Sequence, residues 1–124
     1  MAMGMRRSTS SSSRPRPRHP TERRAAWWYR LRGYRVVATN VWIAGYELDI
    51  VASRGRTLVF CEVKSKSGTR FGDPLDMVTP LKVDRVQRAA QAWLAAHPEA
   101  AGLLVRFDVA AERVGRVEVV QDAF

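Results

Sequence analysis

Residues 45–64, GYELDIVASRGRTLVFCEVK, are the most informative part of the chain. Two runs rich in branched and aromatic side chains, residues 46–52 and 57–64, flank a short polar segment that contains Gly55. Such runs on either side of a glycine-containing turn are typical of a β-hairpin. We therefore predict two antiparallel strands joined by a turn at Arg54-Gly55, with Ile50 opposite Val59.

This pairing gives the hairpin two different faces, because side chains alternate along a strand. One face is apolar and is expected to pack on a core, with Tyr46, Leu48 and Ile50 in the first strand. The other face is apolar near the turn and charged away from it, where it carries Glu47, Asp49, Glu62 and Lys64. In the predicted register Glu47 lies directly opposite Glu62, with Asp49 on the diagonal.

The charged end of the hairpin combines residue types that suit metal-dependent hydrolysis. Facing carboxylates repel, so Glu47, Asp49 and Glu62 together require a compensating positive charge. Lys64 supplies one, and Mg²⁺ (or Mn²⁺) bound to these three acids would supply the rest. The alternative is that the charged residues line a solvated face of the sheet. A bulge of one residue would instead place the acids on opposite faces.

The hairpin belongs to a longer series of helices and strands. The predicted elements are a helix over 21–32, strands over 34–42, 46–52 and 57–64, a polar loop over 65–78, a helix over 79–97, and strands over 103–110 and 113–121. Thr21 and Thr79 are the expected N-caps and Gly33 the expected stop of the first helix. The order α-β-β-β-α-β-β predicts an α/β domain over residues 21–124, with a mixed β-sheet flanked by helices.

The first twenty residues differ in composition from the rest. They contain five arginines, no acid, a serine run and repeated prolines, so we expect a disordered basic arm over residues 1–20. An organelle transit peptide is the rival interpretation, although the segment has no apolar helical face. The whole chain has a net charge of +9, which favours nucleic acid first and anionic membrane second as a partner.

Several classes of protein are disfavoured by what the sequence lacks. No apolar run approaches the ~20 residues that span a bilayer, and no apolar segment of a secretory signal is visible near the start. The single cysteine, Cys61, and the two histidines provide neither a disulfide framework nor a zinc cage. We therefore expect a cytoplasmic protein that makes no use of a membrane.

Asp49, followed after a hairpin by Glu62-Val63-Lys64, resembles the PD-(D/E)xK nuclease motif. More narrowly, residues 45–50 together with residues 58–64 resemble the bacterial YraN family of predicted endonucleases, which are distantly similar to archaeal Holliday-junction resolvases. The resemblance covers nearly everything after the arm. Its other matching residues are Glu22, Gly33-Tyr34, Asn40, Arg70-Phe71-Gly72, Val78-Thr79-Pro80, Lys82, Phe107-Asp108-Val109 and Ala123-Phe124.

The resemblance implies a restriction-endonuclease-like fold and a metal-dependent endonuclease. Asp49 and Glu62 would hold the metal, and Lys64 would orient the attacking water or stabilise the phosphorane. Glu22 would correspond to the helix acid that often completes such sites, and Glu47 to an acidic position two residues before the aspartate. The expected substrate is DNA, branched or flapped structures included, and homodimer formation is expected by analogy with resolvases.

Two positions depart from the pattern that the chain resembles. Leu48 stands where the broad nuclease motif has proline, and Tyr46 stands where a small residue is common in the family. Neither departure removes a ligand. The alternative function keeps the fold but uses it as a non-catalytic nucleic-acid-binding module, or as a structural partner of a repair or ribonucleoprotein complex.

Further residues are candidates for contact with nucleic acid. In and around the second helix these are Arg70, Thr79, Lys82, Arg85 and Arg88. The helix start offers free N–H groups to a phosphate, and its basic edge would contact the backbone, with a solvated flank as the alternative. Trp27 and Trp42 are the tryptophans expected to be free for stacking on bases, whereas Trp28 and Trp93 lie on predicted core stripes.

Overall fold

The computed structural model describes residues 19–64 and 78–124. Its elements are α1 (Pro20–Leu31), β1 (Arg35–Ile43), β2 (Tyr46–Arg54), β3 (Thr57–Lys64), α2 (Pro80–Ala96), β4 (Leu104–Arg113) and β5 (Arg116–Val120), with a 3-10 turn over Pro98–Ala100. The predicted order α-β-β-β-α-β-β and the mixed α/β class are confirmed. Most of the predicted arm and of the polar loop, including Arg70, lies outside the described residues.

The five strands form one sheet in the order β1-β2-β3-β4-β5. Neighbouring strands are antiparallel except β3 and β4, which run parallel from Thr57 opposite Leu104 to Lys64 opposite Ala111. Parallel neighbours need a crossover connection, and α2 lies in it. The end of β3 that carries Glu62 and Lys64 therefore lies in the centre of the sheet.

The two helices cover opposite faces of the sheet, and each covers its own core. The α1-side core consists of Ala25, Ala26, Tyr29, Tyr34, Val36, Ile50, Ala52, Val59, Cys61 and Ala110. The α2-side core consists of Leu48, Val51, Leu58, Phe60, Val86, Ala89, Ala90, Trp93 and Ala100. Burial of both faces explains why the two runs of the central hairpin contain so many apolar residues.

Helix α1 begins and packs differently from the prediction. Its N-cap is His19, whose side chain accepts a hydrogen bond from the Thr21 N–H, so the helix starts at Pro20. The helical spacing of Ala25, Trp28 and Leu31 predicts an apolar stripe with Tyr29 on its flank. In the structure Leu31 is 76% exposed, and Tyr29 is fully buried instead. Burial repeats every four residues from Thr21 through Ala25 to Tyr29. The stop at Gly33 is as predicted, with a left-handed φ of 86°.

The turn between β2 and β3 is shifted by one residue from the predicted position. Arg54 pairs with Thr57, so the two turn residues are Gly55 and Arg56, and Ile50 faces Cys61 rather than Val59. Gly55 has a φ of 57°, which a two-residue hairpin turn needs and which glycine adopts at little cost. The register moves by two residues, so side chains near the turn keep their predicted faces.

A second difference lies farther from the turn, where alternation along β2 is interrupted. Leu48 and Val51 both pack in the α2-side core, whereas Ile50 packs in the α1-side core. In β1 the residue facing this interruption is Asn40, whose φ is 54°. The prediction that Tyr46 and Leu48 share a face with Ile50 is therefore wrong.

The interruption also separates Glu47 from its predicted partner. Glu47 pairs with Trp42 of β1, and the described pairs of β2 with β3 run from Arg54–Thr57 to Ile50–Cys61. Alternation turns Glu47 toward the α1 side, whereas Glu62 faces the α2 side together with Tyr46. The predicted direct opposition of Glu47 and Glu62 is therefore wrong.

Candidate functional site

Asp49 lies where the regular pairing of β2 with β3 ends. Its Oδ2 accepts a hydrogen bond of 2.8 Å from the backbone N–H of Val63. A side chain of β2 thus binds a backbone donor of β3 just beyond the last described pair. This contact fixes the Asp49 carboxylate beside the end of β3, where Glu62 and Lys64 project.

Glu62 is buried, with 6% of its surface exposed, and shares one carboxylate oxygen between two donors. Its Oε2 accepts hydrogen bonds from the Tyr46 hydroxyl at 2.8 Å and from Lys64 Nζ at 2.9 Å. The Lys64 side chain is itself only 14% exposed. Burial makes this ion pair stronger than one on the surface, but it also makes each charge dependent on the other.

Glu22 adds a third carboxylate within electrostatic range of Asp49, from the first turn of α1. Its Oε1 accepts a hydrogen bond of 3.0 Å from Asn40 Nδ2 and a longer one, 3.4 Å, from the backbone N–H of His19. The negative charge of Glu22 contributes to the raised pKa of Asp49. The helix acid implied by the family resemblance is therefore positioned beside Asp49.

The electrostatics of this cluster show an excess of negative charge. The pKa of Asp49 is raised to about 8, first by burial and then by the neighbouring charge of Glu62, although the Val63 N–H works in the opposite direction. Burial also raises the pKa of Tyr46, and the Glu62 carboxylate adds to that effect. One lysine does not compensate the carboxylates that surround it.

Lys82 adds a second amine from the first turn of α2. Burial disfavours the charged form of Lys64, but a hydrogen bond with Lys82 and the charge of Glu62 outweigh it, so the pKa of Lys64 is raised. The pKa of Lys82 is lowered, mainly by the same hydrogen bond and by burial. The two amines therefore meet next to Glu62, and Lys64 holds the proton more firmly.

The other predicted residues in and next to α2 are Thr79, Arg85 and Arg88, and each has a different environment. Thr79 is the N-cap, and its Oγ1 accepts a hydrogen bond from the Lys82 N–H at 3.2 Å. Arg85 is exposed, and its charge lowers the pKa of Tyr46, so it lies within electrostatic range of the site. Arg88 forms an exposed ion pair with Asp84 at 3.0 Å.

Two contributors to the site are not identified by the sequence pattern. Tyr46 departs from the family pattern, yet its hydroxyl donates to Glu62. Asn40 is one of the residues that match the family, but the resemblance gives it no role. In the structure its Nδ2 donates a hydrogen bond to Glu22, and its backbone has a left-handed φ at the position opposite Asp49. A usable signal exists for Asn40, since asparagine is among the non-glycine residues that most often adopt positive φ.

A metal ion can be assessed against the residues present. Within residues 19–64 and 78–124, no three His, Cys, Asp or Glu side chains are close enough together to enclose a metal ion. Magnesium, however, is commonly held by one or two carboxylates plus waters and substrate phosphates. Asp49 and Glu62 provide such a pair, so the site suits a partly hydrated hard cation rather than a metal enclosed by protein.

Together, the fold and this site define a small α/β protein with an acid–lysine cluster at the centre of its sheet, formed by Glu22, Asp49, Glu62, Lys64 and Lys82. Residues 21–111 match the model of the Uncharacterised protein family UPF0102, and the chain belongs to that family. The matched region runs from the first turn of α1 into β4, so it includes every described residue of the cluster. In the described part of the chain, neither helix has the length and apolar character needed to cross a membrane.

Relatives from several bacteria are similar to this chain. A UPF0102 protein of Beutenbergia cavernae is 47% identical over 90 residues, which cover 73% of this chain and 75% of the relative. One from Mycolicibacterium vanbaalenii is 47% identical over 88 residues, covering 70% and 71%. One from Frankia casuarinae is 54% identical over 63 residues, so the match spans about half of each chain, 51% and 52%.

Proposed function

We propose that this protein is a divalent-metal-dependent endonuclease that hydrolyses nucleic-acid phosphodiesters, with DNA as the expected substrate. The observation that carries the proposal is the meeting of Asp49, Glu62 and Lys64 at one point of the sheet. The arrangement resembles that expected for a PD-(D/E)xK nuclease. Two carboxylates and an ammonium group are the residue types that hydrolysis of a phosphodiester with a divalent cation requires.

Asp49 and Glu62 would hold Mg²⁺ or Mn²⁺ through their carboxylate oxygens. When bound, such a cation provides a hydroxide at neutral pH and offsets the charge that develops on the phosphoryl oxygens. Asp49 must lose its proton to act as a ligand, and the proximity of a cation favours that loss. The Val63 N–H keeps its carboxylate in place while this happens.

Lys64 would act through its charge rather than as a base. Its pKa is raised, so it keeps its proton at neutral pH and cannot accept one from water. An ammonium group held by Glu62 is well placed to stabilise negative charge on a phosphate oxygen in the transition state. Lys82 accepts a hydrogen bond from this ammonium group and so helps to hold it in place.

The test is cleavage of labelled DNA in the presence of Mg²⁺ or Mn²⁺. Junction, flap, single-stranded and blunt duplex substrates should be compared, with RNA in parallel. Asp49→Asn, Glu62→Gln and Lys64→Ala should each lower the rate by about 10²–10³ or more, while affinity for DNA changes only a few fold.

Two comparisons sharpen the test. Glu99→Gln removes an exposed acid outside the cluster and should cleave as the wild type does. Lys64→Arg keeps the charge but replaces a compact ammonium with a planar group, so it should restore only part of the activity that Lys64→Ala removes. Metal-independent binding without product on any of these substrates would refute the proposal and favour a non-catalytic binding module.

A further inference from the structure

An open groove of about 580 Å³ lies beside α1, away from the acid–lysine cluster. We call it the α1–β5 groove, after the two elements that form it. Its lining consists of Pro20, Arg23, Arg24, Trp27, Trp28, Leu31 and Arg32 of α1 and the turn after it, with Arg116 and Val117 of β5. The groove therefore combines apolar surface with four arginines.

The apolar part of the groove includes large side chains of α1 that are exposed to solvent. Trp27 is 57% exposed and Leu31 is 76% exposed, and both lie on the side of α1 turned away from its buried residues. The guanidinium of Arg32 lies 3.9 Å from the centre of the Trp28 ring, so one face of that ring is already covered. The Trp27 ring is more open, with Arg30 at 5.7 Å.

The charged part of the groove is strongly positive. Arg24 donates to Glu112 at 2.8 Å, but neither Arg23 nor Arg116 makes an ion pair with any residue in the described ranges. Arginines without an acidic partner, in the same groove as an exposed indole ring, suit a ligand that has both phosphates and flat bases.

We propose that the α1–β5 groove binds an unpaired strand of nucleic acid, with a base stacked on Trp27 and phosphates at Arg23 and Arg116. This rests on the proposed function, since the strand would belong to the nucleic acid that the acid–lysine cluster cleaves. Bases in a duplex have their faces covered by their neighbours, whereas those of a single strand are free to stack on an aromatic side chain.

Charge and length both support this occupant over the basic arm. Residues 1–18 contain only basic charges, so like-charge repulsion disfavours their binding in a groove lined by arginines. The twelve residues of α1 span ~18 Å at 1.5 Å per residue, which is about the length of five stacked nucleotides at 3.4 Å each.

The position of the groove suggests how it would serve the site. Glu22 and the groove residues Pro20 and Arg23 belong to the same first turn of α1, but Glu22 faces β1 whereas the groove opens toward β5. A strand bound in the groove would pass around the beginning of α1 to reach the acids. The groove would therefore hold an unpaired segment of the same nucleic acid outside the acid–lysine cluster and favour substrates that have such a segment.

The test measures binding of a fluorescein-labelled 15-mer of deoxythymidylate by fluorescence anisotropy in EDTA, so that neither metal nor cleavage contributes. Trp27→Ala should weaken binding by at least fivefold, whereas Trp27→Phe should retain most of the affinity. Arg116→Glu should lower the slope of log K against log salt by about 0.7 for each phosphate that is no longer neutralised. Arg35→Glu, the same reversal on β1 at the far edge of the sheet, should change affinity by less than twofold.

Each outcome decides the proposal independently of catalysis. Wild-type affinity in both Trp27→Ala and Arg116→Glu overturns it, whether or not the protein cleaves DNA. An equal decrease in Arg35→Glu, or an equal decrease on a blunt duplex, overturns the assignment to a single strand. A dimer that Trp27→Ala converts to a monomer in sedimentation velocity also overturns it, because a second copy would then fill the groove. A selective decrease in the groove variants supports it, even if no cleavage is ever seen.

Discussion

The same sheet holds two carboxylates, Asp108 and Asp49, whose surroundings differ in how well they neutralise a negative charge. Asp108 is fully buried and is surrounded by donors. It accepts hydrogen bonds from the Tyr29 hydroxyl at 2.5 Å, from Arg106 to both oxygens at 2.9 and 3.0 Å, and from the Asp122 N–H at 3.0 Å. Its charge is thus matched by a guanidinium and further stabilised by a hydroxyl and a backbone N–H.

Asp49 has one backbone donor and two acidic neighbours, Glu62 and Glu22. The pKa of the nearby Lys64 is raised, so this lysine keeps its positive charge, but it already pairs with Glu62. A carboxylate whose charge is matched by its neighbours needs no further counter-charge, and its removal leaves a partner unpaired. One whose charge is not matched is costly to the free protein and is suited to bind a cation, which is why we assign binding to Asp49 and a structural role to Asp108.

The largest effect should come from breaking the satisfied cluster. Asp108→Asn removes a fully buried charge and leaves the partly buried guanidinium of Arg106 without its partner, so the free energy of unfolding should fall by about 3–5 kcal/mol. Urea denaturation would measure it. A decrease below about 1 kcal/mol would show that Asp108 is no better compensated than Asp49. Glu118→Gln, which removes an exposed partner of Arg113, is the control and should change stability by less than about 1 kcal/mol.

The next effect should come from pH, acting on the uncompensated carboxylate. The folded-state pKa of Asp49 is about 8, above its ordinary value of 3.8, so the folded protein keeps a proton that the unfolded chain has released. The stability that the folded protein gains by binding this proton is complete below pH 4 and is lost as the pH rises toward 8. Between pH 5 and 7 metal-free protein should lose about 2–3 kcal/mol relative to Asp49→Asn. Parallel stability curves for the two proteins would contradict this.

Metal binding should reverse that decrease in stability. Mg²⁺ or Mn²⁺ at a hundredfold excess over its Kd stabilises the folded state by about 2.7 kcal/mol, provided that the unfolded chain does not bind it. The Tm of the wild type and of Glu99→Gln should therefore rise, while that of Asp49→Asn and Glu62→Gln should not. The comparison fails if the metal has the same effect on all four proteins, or no effect on any of them.

The smallest effect should come from Tyr46. Tyr46→Phe removes a hydroxyl that donates to the buried Glu62, and removal of a hydrogen bond to a charged group typically costs about 1.5 kcal/mol. The cost should appear in urea denaturation of metal-free protein. It should shrink when Mg²⁺ is present, because the cation would then neutralise the same carboxylate. If Mg²⁺ leaves the loss of stability in Tyr46→Phe unchanged, the hydroxyl of Tyr46 and the cation do not act on the same carboxylate.

The sequence allows much of the fold to be predicted, because the relevant signals are local. Strand β3 has the predicted bounds, and α2 starts after the predicted N-cap Thr79. These elements are specified by a continuous apolar run and by a threonine–proline pair, which do not depend on distant residues. The grouping of Asp49, Glu62 and Lys64 is expected from their spacing around the hairpin.

The remaining features depend on contacts that a sequence pattern does not contain. A register shift of two leaves every side chain on its face, so the alternation of residues 46–64 does not distinguish Val59 from Cys61 as the partner of Ile50. The interruption at Asp49 arises with Asn40 on the neighbouring strand. The helical pattern places Tyr29 on a flank because the acid that receives its hydroxyl, Asp108, lies far along the chain.

The parallel pairing of β3 with β4 sets an order in which the molecule can assemble. Strands β1, β2 and β3 are joined by short turns and can pair as soon as they leave the ribosome. Strand β4 can pair with β3 only after α2 has been synthesised, because Thr57 pairs with Leu104, which follows α2 in the chain. Until then β3 is the open edge of the sheet, and water can reach the Asp49 carboxylate beside it more freely than in the complete sheet. Burial is the main cause of the raised pKa of Asp49. We therefore expect proton uptake, after mixing into refolding buffer, to coincide with the step that buries this carboxylate, and the docking of β4 on β3 is the candidate for that step.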